Sequence, residues 1–138
     1  TMGNAHQAVD DAIEYAKTRV AFGRPIAKFE AVSFRLMESL CEIEAARLLA
    51  YKALWVLDNK LPKAVMWGSA AKAICVPIGI RACRNAMVTL GHVGYCNDYP
   101  TEGRLRDAYA LEFGDGTTDI QLSVVQREVM GKQYLAYV

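Results

Sequence analysis

Neither sign of charge prevails in this chain, where 16 basic residues are interleaved with 15 acidic ones for a formal net charge of +1. Without a basic stripe there is no electrostatic footprint for nucleic acid or an anionic membrane surface. Long uncharged runs are missing too: no window of 18 or more residues is both uncharged and apolar throughout, so no segment is expected to span a bilayer. Cysteine is sparse, and Cys41, Cys75, Cys83 and Cys96 form no CxxC pair and have no histidine close by. They are expected to be reduced thiols that pack as small core residues and bind no metal. No signal segment points to an oxidising compartment, so the chain is expected to be soluble and cytoplasmic, or in the mitochondrial matrix if its source is eukaryotic.

Strand-like alternation is absent as well, and helical periodicity takes its place. At 138 residues the chain is long enough for one domain with a real core, since a chain of ~150 residues buries roughly 70% of its unfolded surface. Thr1-Met2-Gly3-Asn4 runs into the first helical pattern without a cap, which predicts a single domain, residues 1–138, excised from a longer subunit. Ala5, Ala8, Val9, Ala12, Ile13, Ala16 and Val20 recur at spacings of three and four, one face of a helix from about Ala5 to Val20. Gly23 and Pro25 end it.

A second helix is predicted over about Phe29 to Asp58, with Val32, Leu36, Leu40, Ile43, Ala50, Leu54 and Leu57 on one face. Met37, Leu48, Tyr51 and Trp55 widen that stripe until the helix must touch neighbours on several sides. Asn59 to Pro62 is a turn, and a third helix runs from Lys63 to about Leu90, kinked near Pro77. Gly91 to Pro100 reads as a loop, Pro100 opens a short helix reaching about Leu111, and Thr117 or Thr118 caps a last helix that stops at Gly131. The predicted fold is all-α, an antiparallel up-and-down four-helix bundle with one or more additional short helices. Alanine-rich helices with several apolar faces also predict that part of the surface is covered by another domain or subunit.

Four segments carry a family resemblance. Tyr15-Ala-Lys-Thr-Arg-Val-Ala-Phe-Gly-Arg-Pro-Ile26 comes first, and Gly91 to Tyr95 forms a glycine-rich turn. Tyr99-Pro100 with Leu105-Arg106-Asp107-Ala108 follows, and Gly116-Thr-Thr-Asp-Ile-Gln121 opens the last helix. In this order and spacing they resemble the C-terminal domain of acyl-CoA dehydrogenases over essentially the whole chain. The resemblance implies a subunit of three domains (helical, β-barrel, helical) of which this is the third. Such subunits form homodimers or homotetramers that share FAD sites and pass electrons to an electron-transferring flavoprotein or similar acceptor. The implied reaction takes the α-proton and a β-hydride from an acyl-CoA thioester to give the 2-enoyl-CoA, and the domain alone is expected to be inactive.

The resemblance assigns roles residue by residue. The family's base is commonly a glutamate before the glycine-threonine pair, and that position is Asp115 here, with Gly116 on the substrate side. The carboxylate is kept while its reach shortens by one methylene. On the residues alone, Gly114-Asp115-Gly116 reads as an ordinary turn. Arg19 and Phe22 match positions that reach a neighbouring subunit's flavin, where arginine can fork onto diphosphate oxygens. Arg19 read locally is a cation near a helix C-terminus. Gly91 belongs to the cofactor turn, and Thr117 either caps its helix or faces the flavin. Three positions depart from the pattern: Glu30 and Val88 replace glutamines, and His92 replaces a turn glycine. They open a second reading, a non-catalytic scaffold subunit of a mixed oligomer. A free-standing helical interaction module leaves the ordered motifs unexplained.

Overall fold

The computed structural model describes residues 1–136. Six helices and one minimal hairpin follow one another: α1 (Met2–Thr18), β1 (Val20–Ala21), β2 (Arg24–Pro25), α2 (Glu30–Asp58), α3 (Ala64–Leu90), α4 (His92–Tyr95), α5 (Pro100–Phe113) and α6 (Thr118–Met130). Single 3-10 turns at Ile26–Lys28 and Lys132–Tyr134 join and end the elements. The all-α bundle is as expected.

The core grows from small side chains. Ala5, Ala8, Val9, Ala12 and Ala16 bury one face of α1 completely, and that face meets Leu36 and Ile43 of α2, Ala82, Cys83 and Ala86 of α3, and Ala108 of α5. Alanine lets backbones approach closely, so shape matters more here than side-chain bulk. Each fully buried Leu36 or Ile43 contributes about 1.5–3 kcal/mol. Polar ties fix the α2–α3 register: Asn85 Nδ2 donates to Ser39 Oγ at 3.0 Å and Cys75 Sγ donates to Ala46 O at 3.3 Å.

α3 is the central element, packing against α1, α2, α5 and α6. By length and composition it could cross a membrane, but half of its apolar window is buried inside the protein, as suits a core helix. It runs unbroken through Pro77. The periphery contrasts with it: α6 has no fully buried residue. α2 exposes Phe34, Met37, Leu48, Tyr51 and Trp55 on its outer side, and Leu54 and Leu57 near its C-terminal end.

Four local expectations are corrected. α1 begins at Met2 and ends at Thr18 rather than spanning Ala5 to Val20, because Val20 is drawn into the hairpin. The segment after α1 is that hairpin rather than a simple stop. The stretch from Gly91 to Pro100 is not all loop, since one helical turn, α4, forms inside it and packs on α3 and α5. α5 continues two residues past Leu111, to Phe113.

Candidate functional site

Arg19 caps the C-terminus of α1: its N–H donates to Tyr15 O at 2.8 Å and its carbonyl accepts from Ile26 N–H, also at 2.8 Å. The chain then reverses in a two-residue hairpin with Val20 opposite Pro25 and Ala21 opposite Arg24. Phe22 and Gly23 form its tip at φ 52° and 76°. Two successive positive φ values suit the right-handed twist of the flanking strands, but they favour Asn-Gly over Phe-Gly. Phe22 is nonetheless 95% exposed. Its ring meets Phe29 edge-on at 6.1 Å, and Arg24 lies 4.4 Å from the Phe29 ring centre.

Gly91 ends α3 at φ 65°, its N–H donating to Met87 O at 2.9 Å, and turns the chain into α4. Arg19 and Gly91 thereby line one cavity of about 300 Å³ with Tyr15, Ile26, Thr89 and His92. No carboxylate lines it. Among the described residues Arg19 has no acidic partner. An unpaired guanidinium and an imidazole facing one hollow suit an anion such as a diphosphate, so the donor set fits the cofactor implied by the resemblance. His92 Nε2 lies 3.5 Å from Cys96 Sγ, one turn apart. Cys96 therefore does have a histidine neighbour, contrary to the sequence reading. Among the described residues no three His, Cys, Asp or Glu side chains gather to hold a metal.

The second locus is the corner between α5 and α6. Asp115 sits at φ 55° and Gly116 at φ 93°. The left-handed region is tolerable for aspartate and easy for glycine. Thr117 is the cap of α6, its Oγ1 accepting from Ile120 N–H at 3.5 Å, so the capping role is the one seen. Glu112 accepts from Thr118 N–H at 3.3 Å, and Gln121 Nε2 donates to Asp115 O at 2.7 Å. Asp115 is exposed and lines a largely apolar cavity of about 450 Å³ with Ala71, Lys72, Cys75, Val76 and Leu111. Lys72 Nζ donates to both Gly114 O and Gly116 O.

The sequence-derived residues thus fall at two places. Arg19 and Gly91 share one cavity, with Phe22 on the hairpin beside it but pointing outward, while Asp115, Gly116 and Thr117 share the corner. The two cavities have no residue in common. Of the departing positions, only His92 lines the first cavity. Glu30 stands in the first turn of α2, where a carboxylate suits the helix dipole. Val88 is half-exposed on α3. Sequence reasoning missed Lys72, Tyr15 and Thr89. For Lys72 a signal existed, because it is the one charge in the run from Ala64 to Ile80.

Comparison with known proteins decides the family. The model for "Acyl-CoA dehydrogenase, C-terminal domain" matches residues 1–130. The chain belongs to the acyl-CoA dehydrogenase family, as a C-terminal domain. It is 39% identical over 127 residues to the mitochondrial short-chain specific acyl-CoA dehydrogenase of Bos taurus, covering 90% of this chain and 30% of that protein. The solved butyryl-CoA dehydrogenase of Megasphaera elsdenii superposes with a TM-score of 0.89 at 36% identity, over 94% of this chain and 33% of that one. An FAD complex of PigA superposes with the same TM-score of 0.89 at 25% identity, over 94% and 34%. The chain therefore spans about a third of the length of these relatives. FAD is the cofactor of the family.

Proposed function

We propose that the chain is the third domain of a three-domain, FAD-dependent acyl-CoA dehydrogenase subunit that converts an acyl-CoA thioester to the 2-enoyl-CoA. The observation that carries this reading is the pair of loci: a carboxylate at the edge of an apolar cavity, and an unpaired arginine in a carboxylate-free one. FAD, when bound, supplies the acceptor for the β-hydride. The chain's own residues do the rest. Asp115 takes the α-proton, and the apolar lining of its cavity keeps water from competing for it once the rest of the subunit covers the exposed carboxylate. Arg19 and the Gly91 turn hold diphosphate oxygens, and Phe22 covers the cofactor's exposed side.

Because the loci share no cavity, we infer that each completes a different flavin site in a homodimer or homotetramer, Arg19 and Phe22 reaching the neighbour's. The apolar outer face of α2 supports such an assembly, since an exposed stripe that size is costly in water. Electrons pass on to an electron-transferring flavoprotein or similar acceptor. The four cysteines are unpaired, as in the reducing cytoplasm or mitochondrial matrix where we place the protein.

The test is the absorption spectrum of the natively purified full-length subunit, before and after a panel of acyl-CoA thioesters. A flavin spectrum bleached by at least one thioester is expected, and Asp115→Asn should keep the flavin and lose the bleaching. Asparagine tolerates the same left-handed backbone, so the variant removes the charge without refolding the corner. A subunit that binds no flavin even after reconstitution overturns the reading. It would favour a non-catalytic scaffold subunit instead, the alternative that Glu30, Val88 and His92 keep in view.

A further inference from the structure

We propose that Lys72 is a positioning residue for Asp115, an inference that rests on the reading of Asp115 as the base. Three consecutive carbonyls at the α5–α6 corner each accept a side-chain hydrogen bond: Gly114 O from Lys72, Asp115 O from Gln121, and Gly116 O from Lys72 again. All three peptide groups around the carboxylate-bearing residue are therefore tied down, two of them by one ammonium on the central helix of the bundle.

The corner needs such ties. Glycines on both sides of Asp115 would otherwise leave its backbone loose, and Asp115 itself occupies the left-handed region at φ 55°. A carboxylate on a single methylene cannot make up for a displaced backbone by turning about further bonds, so its placement is that of its Cα. Lys72 and Asp115 also line the same cavity, so any acyl group seated there lies against both. Lys72 is half-buried and is the one charge on α3 between Ala64 and Ile80. A lysine there solely to end α5 would need only the Gly114 carbonyl, because Gly116 lies beyond that helix.

The experiment uses the flavin-loaded full-length subunit and the acyl-CoA that bleaches it, in unlabelled and α-deuterated form. Lys72→Met is expected to keep flavin stoichiometry and KM within about twofold while kcat falls roughly ten- to hundredfold, the usual cost of misplacing a reacting group by about 1 Å. The α-deuterium isotope effect should grow, because proton abstraction becomes slower relative to other steps. Lys72→Arg, which can still donate to both carbonyls, should restore most of the rate. An unchanged kcat and isotope effect in Lys72→Met, beside an inactive Asp115→Asn, overturns the role of Lys72 alone. Full turnover by Asp115→Asn removes the base reading and this inference with it. Should Lys72→Met fail to fold, Lys72→Gln, whose shorter side chain cannot hold both carbonyls, takes its place, and an unchanged kcat and isotope effect there overturn the proposal.

Discussion

Replacing Asp11 by asparagine should cost the 138-residue chain a defined amount of stability, with a pH dependence that identifies the cause. Asp11 of α1 accepts from Gln7 Nε2 at 2.9 Å and from Arg104 Nη1 of α5, and the two ion-pair side chains are only 23% and 20% exposed. Asn4 Nδ2 adds a second tie between these helices by donating to Arg104 O at 3.0 Å. Burial pushes the Asp11 carboxyl up, but the hydrogen bonds from Arg104 and Gln7 and the guanidinium charge outweigh it and hold the group below its ordinary 3.8. A hydrogen bond to a charged group contributes about 1.5–3 kcal/mol net, and partial exposure favours the low end, about 1.5 kcal/mol. At about 2.1 cal/mol/K per residue, unfolding a chain this size carries about 0.3 kcal/mol/K, so Tm should fall by about 5 °C. Because the folded-state pKa is depressed, the contribution is present above pH ~4 and fades as pH drops through and below that value, where only the unfolded chain readily takes the proton. Calorimetry of parent and Asp11→Asn at pH 7 and pH 3 should show the gap at pH 7 and most of it gone at pH 3. A gap of equal size at both values, or none at pH 7, would refute the argument.

Phe22→Asn should raise the chain's Tm slightly, by the ~0.5–1 kcal/mol that a residue suited to the left-handed region recovers, while weakening FAD retention by the full-length subunit. Equal retention would show that the ring covers nothing. Thiol labelling of the native chain at pH 8 should modify exposed Cys41 promptly and leave Cys83 untouched until denaturant is added. Burial pushes the Cys83 thiol up to about 11, leaving roughly one part in a thousand as thiolate at that pH; labelling at the Cys41 rate would mean the core opens far more often than its packing allows.

Much of the fold could be read from the chain because α1, α2 and α3 are long and their apolar residues repeat at helical spacing. A cap for α6 was legible at Thr117 or Thr118 for the same local reason, a hydroxyl beside the free N–H groups of a first helical turn, and the structure makes it Thr117. The β1–β2 hairpin was not, since two residues per strand hold no alternation, and Phe-Gly is a poor turn pair. α4 escaped because Gly91 and Gly94 signal a turn, whereas the helical state there is imposed by packing: a Cβ on Gly94 would come within 2.7 Å of Leu90 Cβ. Apolar residues over a wide arc of α2 led to the expectation that another domain or subunit covers part of it. They could not tell which residues face it, because an all-round apolar helix has no direction.

Left-handed backbone falls both on two of the proposed site residues and on a structural turn. Among the described residues, four non-glycine residues have positive φ: Phe22, Lys60, Lys63 and Asp115. Lys60 and Lys63 lie in the short connection between α2 and α3, where the helix ends force a tight reversal and solvated lysine heads suit the surface. At the hairpin tip the Phe22 ring has an edge-on contact with Phe29 but no turn requirement favours an aromatic there, and aspartate at the α5–α6 corner is only tolerated in the left-handed region. Both are exposed, both sit where glycine or asparagine would be easier, and both occupy positions that the family resemblance assigns to cofactor and chemistry. Under the proposed function, the benefit of that backbone lies in what docks there. The hydrogen bonds from Lys72 and Gln121 fit this argument, because a strained corner persists only when its surroundings hold it.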